Sequence, residues 1–107
     1  MRERDIEAHL VRRVKELGGE VRKVQWVGRI GAPDRVVMLP ASPGVLDLDY
    51  PGNTVWVELK NPKTILTFPA DARERAQARE HDRMRRMGQH VEVIGTIDQV
   101  EEMLRWL

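Results

Sequence analysis

Two short segments of the sequence carry charged residues whose spacing could support catalysis. The first is GAPDR at 31–35, where Pro33 fixes its own backbone and delivers Asp34 to the start of a predicted strand. The second ends another predicted strand, where Glu58 and Lys60 project to one side because strand side chains alternate. If these strands are antiparallel neighbours, the start of one lies beside the end of the other, and Asp34, Glu58 and Lys60 converge.

The converging side chains would suit chemistry on phosphate. Two carboxylates are hard oxygen ligands, and a magnesium ion needs few of them because it keeps several waters and accepts phosphate oxygens. A neighbouring lysine can orient an attacking water or steady negative charge on a phosphate. Taken singly, each segment also has a simpler interpretation: Asp34 as an ordinary turn residue, and Glu58 with Lys60 as a surface ion pair.

The elements that must position these residues follow from periodicity and from turn residues. Ile6, Leu10 and Val14 recur at helical spacing and predict a first helix over 2–17, which Gly18 and Gly19 would end. Strands are predicted over 20–27, 34–39, 54–60 and 91–94, with a turn-rich connection over 40–53 and a loop over 61–70. A second helix is predicted over about 71–87, and Thr96 with Gln99 predicts a capping box for a last helix.

The order α-β-β-β-α-β-α predicts a mixed α/β fold of the α+β kind, formed by one domain over 1–107. Three successive strands favour an antiparallel meander. The later β-α-β crossover favours a last strand that runs parallel to an earlier one. We therefore expect a central mixed sheet flanked by helices, with an added C-terminal helix.

Composition excludes several classes of function. Lys and Arg number 18 against 17 Asp and Glu, so a globally basic nucleic-acid coat is excluded and any DNA contact must use a local basic face. Cysteine is absent, which excludes disulfides, thiolate zinc sites and a cysteine nucleophile. No apolar run approaches the roughly 20 residues of a membrane span, and no secretory signal is visible. We therefore expect no membrane partner and a cytoplasmic location.

These motifs, in this order, resemble the PD-(D/E)xK nucleases, and within them the small phage-like form of the virus-type replication-repair (VRR-NUC) branch. Glu7 lies in the first helix, the segment at 31–35 matches G-x-P-D-R, and Glu58-Leu59-Lys60 matches E-x-K. Gln77 lies early in the second helix, and a G-x-x-V-x-V pattern leads into the fourth strand. The resemblance covers about residues 3–104, and it implies a restriction-endonuclease-like α-β-β-β-α-β core.

The resemblance implies a role for each matching residue. Asp34 and Glu58 would bind a divalent metal, Mg²⁺ or Mn²⁺, and the backbone carbonyl of Leu59 would be a further ligand. Lys60 would position or activate the attacking water. Glu7 would assist the metal site directly or through water, although its place beside the apolar stripe also fits a solvated glutamate.

Gln77 would orient a neighbour of Lys60 or contact the substrate, while a solvated helix glutamine is its simpler interpretation. The reaction implied is hydrolysis of phosphodiester bonds in branched DNA such as Holliday junctions, by a homodimer. Alternatives are a nuclease of the same fold for flaps or plain duplex, and a non-catalytic DNA-binding or assembly subunit. A structural interaction domain is a further alternative. A small core does not easily bury the three side chains of Trp26, Trp56 and Trp106, so some of them could lie at an interface with a partner.

Candidate DNA contacts come from cations near the predicted site. Arg29 and Arg35 flank Asp34, and Lys63 follows Lys60 in the next loop. The second helix is rich in arginine, and helical spacing would align a stripe of Arg75, Arg79, Arg83 and Arg86. This stripe could face phosphates or could be solvated and paired with neighbouring glutamates. His81 is expected to be an ordinary half-exposed helix residue, with phosphate contact as the alternative.

Overall fold

The computed structural model describes residues 1–40 and 52–107, and it has the predicted order of elements. The helices are α1 (Glu3–Glu16), α2 (Ala72–Arg86) and α3 (Ile97–Arg105), and the strands are β1 (Glu20–Lys23), β2 (Arg35–Leu39), β3 (Asn53–Leu59) and β4 (Val91–Ile94). One 3-10 turn, Ile65–Thr67, lies in the predicted loop before α2. Most of the predicted connection over 40–53 lies outside the described residues.

The four strands form one mixed sheet in the order β1-β2-β3-β4. The first three strands pair antiparallel and β4 pairs parallel to β3, which confirms the predicted meander and crossover. Arg35 is the partner of Val57, so the antiparallel register continues to Asp34 beside Glu58. The start of β2 and the end of β3 therefore meet at one edge of the sheet.

One face of the sheet is apolar and is covered by α1 and α3. The alternate residues Val55, Val57 and Leu59 of β3 point to this side because strand side chains have a period of two. They join a single buried cluster with side chains of the two helices. The other members of that cluster are Ile6, Leu10, Val14, Val37, Ile94, Val100 and Met103.

The opposite face is covered by α2 and is buried but polar. Glu58 and Lys60 of the β3 end lie on this side, each about 8% exposed. The residues of α2 that are buried against them are Glu74, Gln77, Glu80, His81 and Met84. The chain thus forms three layers, with an apolar interface on one side of the sheet and a polar one on the other.

Most predicted element ends lie within one residue of the structure, but the end of the first strand and the hydrogen bonds at the start of the last helix differ further. The first strand stops at Lys23 instead of residue 27, because the chain turns away and only Val24 N still pairs, with Asp34 O at 2.9 Å. The cap of α3 forms as predicted at Thr96, which accepts a hydrogen bond from Gln99 N, but the Gln99 side chain accepts from Gly95 N instead of closing the box on Thr96. Within the described residues, no helix is long and apolar enough to span a membrane.

Candidate active site

Asp34 lies at the junction between the preceding loop and β2. Its Oδ2 is 2.9 Å from Arg35 Nη1, while its Oδ1 is buried without a hydrogen-bond partner among the described residues. A buried carboxylate oxygen without a donor is costly unless a ligand satisfies it. Asp34 is therefore prepared to bind a group that the chain itself does not supply.

Glu58 is the last residue but one of β3, and it faces α2. Its Oε1 lies 3.6 Å from Nε2 of His81, whose ring is completely buried and stacks on Phe68 at a centroid distance of 6.2 Å. Neither His81 nitrogen has a hydrogen-bond partner in the parts of the chain that the structure describes. The expectation of a half-exposed His81 is therefore wrong, and burial also removes it from phosphate contact.

Lys60 does not pair with Glu58, although both project to the same face. Its Nζ is 2.9 Å from Glu74 Oε2 and donates to Gln77 Oε1 at 3.0 Å. The ammonium also lies 5.1 Å from the centroid of the Phe68 ring. Two side chains of α2 and one aromatic ring therefore fix the position of this charge.

Glu74 is a functional candidate that the sequence interpretation missed. It follows the helix cap Asp71, which accepts from Glu74 N at 2.8 Å, and its own Oε1 accepts from Ala70 N at 2.8 Å. Hydrogen bonds from Lys60 and then from the Ala70 amide hold the pKa of Glu74 below its ordinary value. The D-x-x-E spacing at 71–74 is the signal that could have indicated a glutamate fixed at a helix start.

Asp34 and Glu58 line the same open pocket, which has a volume of about 360 Å³. Gln77 lines it too, and through its hydrogen bond it connects the pocket to Lys60. Gly31 closes one wall with φ +86°, and a Cβ there would lie 3.0 Å from Ala76 O, so only glycine fits this close approach. The pocket is completed by Ile30, Ala32, Arg73 and Ala76.

Two glutamates of α1, Glu3 and Glu7, lie near the pocket and differ in their contacts. Glu7, predicted to assist the metal, forms an ion pair with Arg35. Glu3, one turn earlier, has its pKa raised by partial burial and by the charges of Asp34 and Glu58, with Arg35 and Lys60 acting in the opposite direction. Glu3 is therefore in the electric field of the pocket, and its i, i+4 relation to Glu7 is the signal that could have indicated it.

The predicted DNA-contacting cations divide into two groups. Arg29 forms a bidentate pair with Glu80 at 2.7 and 2.9 Å, and the Arg35 side chain is only 13% exposed between Glu7 and Asp34. Both guanidinium groups are thus engaged within the protein. Lys63, Arg75, Arg79 and Arg86 are exposed, with no ion pair to another described residue, whereas Arg83 pairs with Glu80.

Known proteins similar to this chain identify its family. No family model matches the chain. It is 35% identical over 98 residues to "Putative nuclease p44" of Acyrthosiphon pisum secondary endosymbiont phage 1, covering 92% of this chain and 87% of the phage protein. A solved structure described as "VRR_NUC domain" aligns with a TM-score of 0.69 and 33% identity, over 96% of this chain and 94% of that one. The chain belongs to the VRR-NUC family.

These two similarities confirm the VRR-NUC family that the sequence motifs predicted, and with it the restriction-endonuclease-like core. The roles of the individual residues are still predictions from the sequence, and the structure adds the position of each residue.

Arg73 is a candidate site residue that the sequence analysis did not name. It lies on α2 one turn before Gln77 and lines the pocket, while the stripe of Arg75 and Arg79 lies on another side of the helix. The i, i+4 spacing of Arg73 and Gln77, which places both on one face of the helix, is the sequence signal that could have indicated it.

The donor set fits a divalent cation that takes few protein ligands. Among residues 1–40 and 52–107, no three His, Asp or Glu side chains cluster as a metal cage would require. Asp34 offers a buried oxygen without a partner, and Glu58 offers a second carboxylate in the same pocket. A magnesium-type ion completes its shell with water and phosphate oxygens, so two carboxylates and a carbonyl such as that of Leu59 suffice.

Proposed function

We propose that this VRR-NUC chain is a divalent-metal-dependent DNA endonuclease that hydrolyses phosphodiester bonds. The observation that carries the proposal is the shared pocket of Asp34 and Glu58, in which the buried Oδ1 of Asp34 has no partner among the described residues. The chemistry of hard carboxylate oxygens favours Mg²⁺, with Mn²⁺ as the second choice.

Each residue of the site has a defined part in this proposal. Asp34, Glu58 and the Leu59 carbonyl would hold the ion, which when bound polarises a phosphate oxygen and makes water a stronger nucleophile. Lys60 positions the attacking water and offsets phosphate charge, because its ammonium cannot move away from Glu74 and Gln77.

Arg35 and Glu7 act on the carboxylates, not on the substrate. The Arg35 guanidinium contacts Glu7 and Asp34 together, so it holds the Asp34 carboxylate in one orientation. Burial would lower the pKa of Arg35, but the hydrogen bond to Glu7 and the charges of Asp34 and Glu7 outweigh it and raise that pKa. Arg35 therefore stays charged, and Glu7 balances the charge that it brings to the site.

Branched DNA such as a Holliday junction is the proposed substrate. With a net charge of +1, the chain gains affinity only from local groups of cations, and no motif in it reads base identity, so we expect it to recognise the shape and the backbone of the DNA. A homodimer would place two pockets symmetrically on a two-fold junction. Trp106, with 78% of its surface exposed, is a candidate for contact between protomers.

A cleavage assay tests the chemistry and the substrate together. The panel contains a four-way junction, a flap, a linear duplex and a single strand, each with Mg²⁺, Mn²⁺ or chelator. Wild-type protein runs beside Lys60→Met and beside Lys15→Met, an exposed lysine on α1 that serves as the matched control. We expect metal-dependent cutting of the junction by the wild type and the control, and none by Lys60→Met.

The other outcomes separate the alternatives. Cutting of flaps or duplex alone would keep the chemistry and reject the junction as substrate. Junction binding without any cutting, by folded protein in either metal, would favour a non-catalytic DNA-binding subunit. Sedimentation equilibrium with the junction tests the dimer, for which two protomers for each junction are expected and one would reject it.

A further inference from the structure

The loop at 24–33, between β1 and β2, exposes two aliphatic side chains, and one of them, Ile30, lines the pocket. Val27 is 100% exposed and Ile30 is 85% exposed. Exposing branched aliphatic side chains to water is unfavourable, and a loop tip offers many polar residues as alternatives. Ile30 lines the pocket with Asp34 and Glu58, and Val27 lies three residues earlier in the same loop, so the exposed tip adjoins the pocket through Ile30.

This loop is held rigidly although its tip is exposed. Arg29, between the two aliphatic residues, is fixed to Glu80 of α2 by two hydrogen bonds. The Trp26 indole N–H donates to Pro33 O at 2.7 Å, and the Trp26 ring lies 5.3 Å from that of Trp56 on β3. The residues on both sides of the tip are thus tied to α2 and to β3, and these contacts hold the tip away from the body of the protein.

We propose that Val27 and Ile30 form a wedge that inserts between stacked bases of DNA next to the phosphodiester in the pocket. The proposal rests on the proposed nuclease function. Branched aliphatic side chains on a rigid support separate base steps without a large loss of side-chain entropy. The bases offer an apolar surface that these side chains can cover, and Arg73 in the pocket offers a cation for the adjoining phosphate.

DNA fits this surface better than a second copy of the chain does. A protein partner that covered Ile30 would also close the pocket that Ile30 lines, and so would prevent access to Asp34 and Glu58. The exposed apolar surface of the loop comprises Val27, Ile30 and part of Trp26, which is 37% exposed, whereas a stable protein interface buries on the order of 800 Å² on each partner. A wedge, in contrast, needs only one or two side chains.

The experiment measures base unstacking independently of cleavage. A four-way junction and a linear duplex carry 2-aminopurine at successive positions, and Ca²⁺ replaces Mg²⁺. The fluorescence of 2-aminopurine rises when the base leaves its stack. Wild-type protein is compared with Val27→Ser/Ile30→Ser and with Met87→Ser, a control that removes a 68% exposed apolar side chain from the end of α2.

We expect wild-type protein and the Met87→Ser control to raise the fluorescence at one or two adjacent positions. The double variant should lose most of that rise and bind about 10-fold more weakly, because two aliphatic contacts are removed. Binding should weaken less on DNA that carries a mismatch at the reporter, since the base there is already partly unstacked. Circular dichroism should show an unchanged melting temperature.

An unchanged fluorescence rise in the double variant, or no rise with the wild type, would overturn the wedge. Loss of dimer in the double variant by sedimentation, with unstacking unaffected, would overturn it in favour of a protein contact. Unstacking by a wild-type protein that cleaves no substrate would reject the proposed nuclease function and leave the wedge standing. Cleavage by a wild-type protein that unstacks no base would reject the wedge and leave the proposed nuclease function standing.

Discussion

The two faces of the sheet are built from the same strands and serve different ends. On β3, Val55, Val57 and Leu59 point into an apolar layer under α1 and α3, while the alternate residues Glu58 and Lys60 point to α2. The apolar layer stabilises the fold in proportion to the surface that it removes from water. The polar layer is buried as well, yet desolvation of its charges offsets most of the gain from pairing them.

Within the polar layer, some charged groups are held by partners from the protein, and others are left able to bind a ligand. Lys60 is held by Glu74 and Gln77, which take two of its three N–H donors, whereas Asp34 at the edge of the same layer has one buried oxygen without a partner in the described part of the chain. The protein thus holds its cation with two partners from α2, whereas it holds Asp34 through Oδ2 and leaves Oδ1 available to a ligand. If this interpretation is correct, changes on the two faces must separate activity from stability.

The largest effect is expected at Asp34. Asp34→Asn keeps the size of the side chain but removes the negative charge, so we expect DNA cleavage to fall on the order of 10³-fold or more, as loss of several kcal/mol of transition-state stabilisation implies. Stability should change by less than about 1 kcal/mol, since the Asp34 side chain is half exposed and Arg35, which loses its ion pair with Asp34, keeps the one with Glu7. Single-turnover cleavage and urea unfolding measure the two quantities. Asp98→Asn, an exposed residue of α3, is the control, and a large loss of stability in Asp34→Asn would contradict the assignment.

Truncation on the apolar face should have the reverse pattern. Leu10→Ala leaves a cavity under α1 and should lower the free energy of unfolding by about 2–5 kcal/mol. Cleavage by the folded protein at low temperature should stay within a few-fold of wild type. Val11→Ala, one residue along and partly exposed, should cost less than about 1 kcal/mol. Cleavage that falls as steeply as in Asp34→Asn would show that the two faces are not separable.

Glu74 contributes both to activity and to stability, and the loss of stability on its substitution should depend on pH. Its pKa is lowered in the folded protein, so the Lys60–Glu74 pair contributes stability above the unfolded pKa of about 4.3, and this stability is lost as pH falls through the folded pKa. Glu74→Gln should therefore lower stability by about 1–3 kcal/mol at pH 7 and by progressively less between pH 5 and 3. We expect cleavage to fall about 10–100-fold, as for loss of an outer support of a catalytic group.

Urea unfolding at several pH values measures this dependence. The control is Glu102→Gln, whose exposed carboxylate accepts hydrogen bonds from Arg105 and from Trp106 at the end of α3. A stability difference between Glu74→Gln and wild type that is constant from pH 7 to pH 3 would show that the Glu74 charge does not stabilise the polar layer.

The smallest effect is expected on the solvent side of α2. Arg75→Gln and Arg79→Gln should each weaken DNA binding a few-fold and reduce the salt dependence of binding by about one unit of slope, as for loss of one phosphate contact. The cleavage rate with saturating DNA should not change. Arg12→Gln on α1, which pairs with Glu16, is the control. An unchanged salt slope would show that these arginines are only solvated.

The order of elements, the cap of α3 at Thr96 and the approach of Asp34 to Glu58 could be predicted from local signals. Strand alternation placed Glu58 and Lys60 on one side, and the meander placed Asp34 opposite Glu58, as the register confirms. The end of β1 could not be read locally, because the loop after Lys23 is apolar in composition and its turn depends on α2 and β3. The partners of Lys60 could not be read either, since they come from a helix 14 and 17 positions away.

The sequence by itself determined the family, the layers and the residues available for chemistry, because periodicity and short motifs are properties of neighbours along the chain. Only the tertiary structure decided which charges are engaged. Arg29 and Arg35 are near Asp34 in sequence, yet Glu80 and Glu7 from two different helices bind them. His81 is buried because a sheet and Phe68 cover it. Ion pairs and burial depend on residues that are distant in the chain and close in space, and this is information that local patterns do not contain.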